Sequence, residues 1–187
     1  MTTEMQYVDR AERGTLTPPV GERDHVTGPA TASVTLVEYG DFECASCRKA
    51  WPMVKELQRR LGKSLRFVFR NFPLTKLHPN AQHAAEAAEA AAAQGAFWQM
   101  HDRLFERQFA LEDHNLIEYA TDLGLDADRV TDALQAGTYR ARVNDDVISG
   151  LKSGVSGTPT FFINGGRYDG PHGTEPLFEA LQVASQS

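Results

Sequence analysis

The stretch DFECASCRKAW, residues 41–51, holds Cys44 and Cys47, the chain's two cysteines, three positions apart. A helix is predicted to start at Cys44. A first sulfur at that start lies beside the free N–H groups of the opening turn, whose partial positive charge favours thiolate. The thiolate is the nucleophile of disulfide exchange, and a second cysteine one turn further on can attack the mixed disulfide and release the product. Cys44 therefore reads as the attacking thiol and Cys47 as the resolving thiol. Two other chemistries compete. A structural zinc would need at least two further ligands at compatible spacing. There is no second cysteine pair, and His25, His78, His83, His101, His114 and His172 include no two that are four residues apart. No metal and no bound cofactor is expected. The third option, a lasting structural disulfide, depends on compartment.

Two further sites bear on the pair. Glu38 lies six residues before Cys44 in SVTLVEYG, a β-branched and apolar run that reads as a buried strand. It shares parity with Val34 and Leu36, the inward face, so its carboxyl is expected beneath the sulfurs. Burial there raises a carboxyl pKa and lets it take or pass the proton of Cys47. In GVSGTPTFFING, residues 154–165, Thr158-Pro159 opens another strand, and an X-Pro bond at such a junction is a place for a cis peptide.

These residues need a scaffold. The helix from Cys44 should run to about Leu61, because Cys47, Trp51, Val54, Leu57 and Leu61 recur at helical spacing and Gly62 follows; Pro52 lies inside it. SLRFVFRNF, 64–72, reads as a second strand. The next eighty or so residues are helical almost throughout, beginning with the Ala-rich HPNAQHAAEAAEAAAAQG. Further helices are marked by Phe97, Met100 and Leu104, by Leu116, Ala120 and Leu123, and by Val130 and Leu134 after a cap at Asp126 or Asp128. Tyr139, Val143, Val147 and Leu151 mark one more. Strand character returns in PTFFING, with Asn164-Gly165 as a hairpin turn, and a last helix carries Leu177 and Leu181. Residues 1–31 read as an arm that is mostly loop.

The 187 residues are 41% hydrophobic with net charge -6, ordinary globular usage without the basic footprint of a nucleic-acid binder. No run is long and apolar enough to span a bilayer, and the first thirty residues show no export signal, so the expected location is the cytoplasm. Thiols stay reduced there, which disfavours a structural disulfide.

Taken together, EYGDFECASC, FRNFPL, HPNAQHAAEAAEAA, FWQMHDRLF and GVSGTPTFFINGG resemble, in order, stretches of the DsbA-like thiol-disulfide oxidoreductases of the thioredoxin superfamily. The resemblance covers roughly residues 30–185. It implies an α/β, thioredoxin-like fold built from 32–74 and 153–187, with an inserted all-helical domain over 75–152. It makes Cys44 the nucleophile, Cys47 the resolving thiol and Glu38 the buried acid. Pro159 becomes a cis-proline facing the pair, and Thr158 a backbone contact for an extended substrate. Implied partners are protein or small-molecule thiols and disulfides and a redox recycling partner, with neither nucleic acid nor membrane. The Ala45-Ser46 dipeptide lacks the proline and histidine common between the cysteines of strongly oxidising members, which leaves the direction of electron flow open. A non-catalytic peptide-binding module and a metal carrier are the competing readings.

Overall fold

The computed structural model describes residues 14–186. Strand β1 (His25–Thr27) and strand β2 (Val34–Gly40) precede helix α1 (Ala45–Leu61) and strand β3 (Leu65–Asn71). Five helices follow: α2 (Ala81–Ala92), α3 (Phe97–Glu106), α4 (Asp113–Asp122), α5 (Ala127–Ala136) and α6 (Arg140–Lys152). Strands β4 (Thr160–Ile163) and β5 (Gly166–Tyr168) and helix α7 (Thr174–Ala184) complete the described chain.

The sheet order is β1-β3-β2-β4-β5, with β2 and β3 parallel and the other neighbours antiparallel. Strand β2 is thus flanked on both sides. Its buried run needs no polar alternation, because both faces of the sheet are covered. Val34 and Leu36 face one core, which also holds Phe67, Phe69, Phe161 and residues of α1 and α7. Val37 and Tyr39 face a second core with Val68, Phe72 and Phe162. The β4–β5 turn is Asn164-Gly165, with φ of 47° and 83°, the left-handed pair that a two-residue hairpin demands. Of the two candidate caps on α5, Asp126 is the one used, accepting from the Arg129 N–H at 3.1 Å.

The insertion is helical as expected, and it is built into the core of the sheet. Ala84, Ala87, Ala88 and Ala91 of α2, Met100 and Leu104 of α3 and Val130 of α5 belong to the same buried cluster as Leu36 and Phe69. Helix α6 lies close against the sheet: a Cβ at Gly150 would come within 2.7 Å of the Phe72 ring. Several buried polar groups along this seam find partners across it, which offsets the cost of burying them. The Asn71 side chain donates to Glu89 at 2.7 Å, and the Asn71 N–H donates to Asp146 at 3.0 Å.

The described part of the arm is mostly loop, as expected, with one short strand that was not expected. Residues 1–13 lie outside the described chain, but His25–Thr27 pairs antiparallel with Thr27↔Phe67 through His25↔Phe69 as an edge strand. Three residues are too few to show a period. Long-range ties fix them instead: the buried Arg70 guanidinium donates to Asp24 at 2.7 Å, and the Trp98 indole donates to the Val26 carbonyl at 3.2 Å.

Candidate active site

Cys44 is the N-cap of α1, in extended conformation, and Cys47 lies in the first turn. The element order that places them is strand, tight loop, helix. β2 ends at Gly40, the Cys44 N–H donates to the Asp41 carbonyl at 3.1 Å, and the helix begins at once. Both thiols are free and buried, Cys44 at 8% exposure and Cys47 at 0%, so only the first is within reach of a partner.

Their environments push the two thiols apart. The Cys47 thiol donates a hydrogen bond that pulls Cys44 down to about 5 against the effect of burial, helped by the Thr158 side chain and the backbone N–H groups of Cys47 and Ser46. These N–H groups are the unpaired donors of the helix start. Burial raises Cys47 well above the ordinary thiol value, and the hydrogen bond to Cys44 and the charges of Glu38 and Cys44 push the same way. One thiol is poised to attack and the other to wait.

Glu38 lies at the centre of the sheet, opposite Phe69 on one neighbour and Phe161 on the other. It is 2% exposed, and its Oε1 has no hydrogen-bond partner. Burial raises its carboxyl to about 8, with a further push from the charge of Cys44. The Thr158-Pro159 peptide is cis, Pro159 is buried, and the Thr158 carbonyl accepts from the Cys44 thiol at 3.5 Å. All five residues singled out in the sequence therefore meet in one place.

Three contributors escaped the sequence reading. Asp41, 1% exposed, accepts from the Glu43 N–H at 2.7 Å and the Leu74 N–H at 2.8 Å, and its own N–H donates to the Cys47 sulfur at 3.4 Å. It also holds His78 Nδ1 at 2.7 Å. Burial works against a charged His78, but the hydrogen bond and charge of Asp41, with the Cys44 thiolate and Glu43, raise it above the ordinary imidazole value. The charge of Cys44 is thus felt at His78, an imidazole that the fold and not the Ala45-Ser46 dipeptide brings to the site. On spacing alone His78 is an isolated histidine, and only its fold neighbour Asp41 reveals it. Gln108, from the loop after α3, donates to the carbonyls of Phe42 at 2.8 Å and Cys44 at 2.9 Å. A partner more than sixty residues away leaves no local signal. Among the described residues no His, Cys, Asp and Glu cluster could hold a metal ion.

A family model described as thioredoxin matches residues 21–182. The chain belongs to the thioredoxin family. Among solved structures, this thioredoxin-family chain shares its fold with oxidised BdbD from Bacillus subtilis, at TM-score 0.84 and 22% identity over 94% of this chain and 98% of that one. A thioredoxin-like oxidoreductase from Silicibacter pomeroyi matches at TM-score 0.79 and 26% identity, over 89% and 95%. The thiol-disulfide exchange protein alpha-DsbA2 from Wolbachia pipientis matches at 0.76 and 20%, over 96% and 92%. The fold is thus the DsbA type, a thioredoxin sheet with a helical insertion. A curated relative, Na(+)/H(+) antiporter NhaA 3 of Salinispora tropica, is 51% identical over 166 residues, which is 89% of this chain and 25% of that protein. The chain spans about a quarter of that relative's length. No described helix is long and apolar enough to cross a membrane.

Proposed function

We propose that this protein is a thiol-disulfide oxidoreductase that exchanges disulfides with protein or small-molecule partners through Cys44 and Cys47. The observation that carries this reading is geometric. Cys44 lies at the open start of α1, Cys47 is fully buried one turn behind it, and the buried Glu38 carboxyl is close enough for its charge to act on Cys47. This arrangement lowers the first thiol and raises the second.

In the reducing direction, Cys44 Sγ attacks one sulfur of a substrate disulfide. That S–S bond breaks, a mixed disulfide forms, and one substrate thiolate leaves. The attack removes the negative charge on Cys44, which is one cause of the raised Glu38 carboxyl and one cause of the raised Cys47 thiol. The loss of that charge favours carboxylate at Glu38 and thiolate at Cys47. Glu38 accepts the Cys47 proton, and Cys47 Sγ attacks Cys44 Sγ. The mixed disulfide breaks, the second substrate thiolate leaves, and the enzyme holds a Cys44–Cys47 disulfide. The substrate has gained two electrons, and a separate recycling dithiol returns two electrons to the pair by the same exchange. The oxidising direction is the reverse. Next to the thiols, the Thr158 backbone at Pro159 offers the extended contact for a peptide segment. The name of the antiporter relative adds nothing to this reading, which rests on the cysteine site.

The test is a pair of variants. Cys44→Ser should abolish disulfide exchange, and Cys47→Ser should accept the first attack and accumulate mixed disulfides that a reductant releases. Wild-type exchange in Cys44→Ser would refute the assignment.

A further inference from the structure

Behind Glu38 lies a small cavity walled by Glu38, Trp51, Lys55, Trp98 and His101, among others. Its volume is about 10 Å³, close to the ~10–15 Å³ that one water needs. Two side-chain atoms of this wall, Glu38 Oε1 and His101 Nε2, are buried without a hydrogen-bond partner. A buried polar atom without a partner is costly, and two of them on residues lining one water-sized space make that space a place for a shared water.

The rest of the His101 ring is fixed. It lies among the rings of Phe42, Phe69, Trp98 and Phe105. Its Nδ1 is 3.0 Å from Asp102 Oδ1, and a carboxylate can only accept, so Nδ1 carries the proton and Nε2 offers a lone pair to the cavity. Asp102 also accepts from the Trp51 indole at 3.0 Å and from the Lys55 ammonium at 2.6 Å, and Lys55 reaches solvent with 42% of its side chain exposed. The charged groups facing the ring are Asp102, Lys55 and, further off, His25.

We propose that His101 is a positioning residue that passes protons between Glu38 and solvent, through one water in the shared cavity and out by way of Asp102. This rests on the oxidoreductase reading above. In the reduced enzyme near pH 7, Glu38 is protonated, because its carboxyl is raised to about 8. It must therefore lose a proton before it can accept that of Cys47. The proton leaves Glu38 for the water, the water gives one to Nε2, Nδ1 gives one to Asp102, and Asp102, 30% exposed, gives it to bulk water; each bond broken is matched by one formed. Above pH 8 Glu38 is already a carboxylate, and the exit is not needed.

Reaction with 5,5′-dithiobis(2-nitrobenzoate) separates the steps. Attack by Cys44 releases one thionitrobenzoate, and resolution by Cys47 releases the second. In His101→Gln the first release should stay within about two-fold of wild type, while the second slows about ten-fold at pH 6–7 and recovers above pH 8.5, within the span of general acid–base effects. Imidazole in the buffer should restore the second release in His101→Ala and not in Glu38→Gln. In the unaltered protein below pH 8, D₂O should slow the second release more than the first, a check that needs no variant. A second release that is unchanged in His101→Gln, or slowed equally at all pH values, overturns the relay, as do equal isotope effects on both steps. Absence of a first-release defect in Cys44→Ser would overturn the oxidoreductase reading itself.

Discussion

The reduction potential of the Cys44–Cys47 pair follows from how firmly the fold holds the Cys44 thiolate. Thioredoxin is a convenient reference, with an attacking thiol at about 7 and a potential of about -270 mV. Here the helix start, Cys47 and Thr158 hold Cys44 at about 5. At pH 7 a thiol lowered from ~7 to ~5 stabilises the reduced form about fifty-fold by proton linkage. At about 30 mV per tenfold for a two-electron couple, that raises the potential by about 50 mV, to about -220 mV. The same reasoning limits the kinetic gain. Nucleophilicity falls with a Brønsted slope of about 0.4–0.5 as the thiol becomes more acidic, about six- to ten-fold over this range, which outweighs the roughly twofold larger thiolate fraction, and Cys44 gains mainly as a leaving group. Equilibration against glutathione buffers at pH 7, with free thiols counted after acid quenching and thiolate absorbance titrated in parallel, reads both quantities. A potential above about -150 mV while Cys44 titrates near 5 would refute the argument that thiolate stabilisation sets the poise, and would point toward oxidation of partners.

Glu38→Gln should slow the second thionitrobenzoate release more than the first, and its effect on stability should depend on pH. The native state holds the Glu38 proton more tightly than the unfolded chain, so this contribution is full below the ordinary value of 4.5 and is lost as pH rises through about 8. The variant should therefore melt several degrees above wild type at pH 9 and close to it at pH 4, at about 2–4 °C per kcal/mol for a chain of this size; a difference independent of pH would count against a buried carboxyl. Gln108→Ala takes its donor from the buried Phe42 carbonyl and one of two donors from that of Cys44, at about 1–3 kcal/mol, and should lower the melting temperature by about 2–12 °C. It should also alter the Cys44 titration, and an unchanged titration would show that the strap does not reach the thiol.

Most of the chemistry was legible because it is local. Cys44 and Cys47 share one helical turn, and the strand period alone places Glu38 on the inward face. Caps, turns and the long helices are local too. What escaped depends on contacts between distant segments. Strand β1 exists because Arg70 and Trp98 hold its neighbours, and three residues carry no period of their own. Asp41 and His78 are 37 residues apart, and each alone is an ordinary polar residue. Spacing shows the insertion as a run of helices but not that α2 and α6 share the core of the sheet, since Ala-rich and amphipathic patterns say that a face is buried and not what buries it.

The Gln108 strap limits how far this protein can be dissected. A minimal version, cut back to strands and flanking helices by excising residues 75–152, would keep Cys44, Cys47, Glu38 and Pro159 in sequence. It would also strip the Gln108 amide from the Phe42 and Cys44 carbonyls, the histidine from Asp41, and the alanine face from beneath the sheet. The cysteine loop therefore does not behave as a cassette: grafted onto a bare thioredoxin frame, the same eleven residues would make a different thiol.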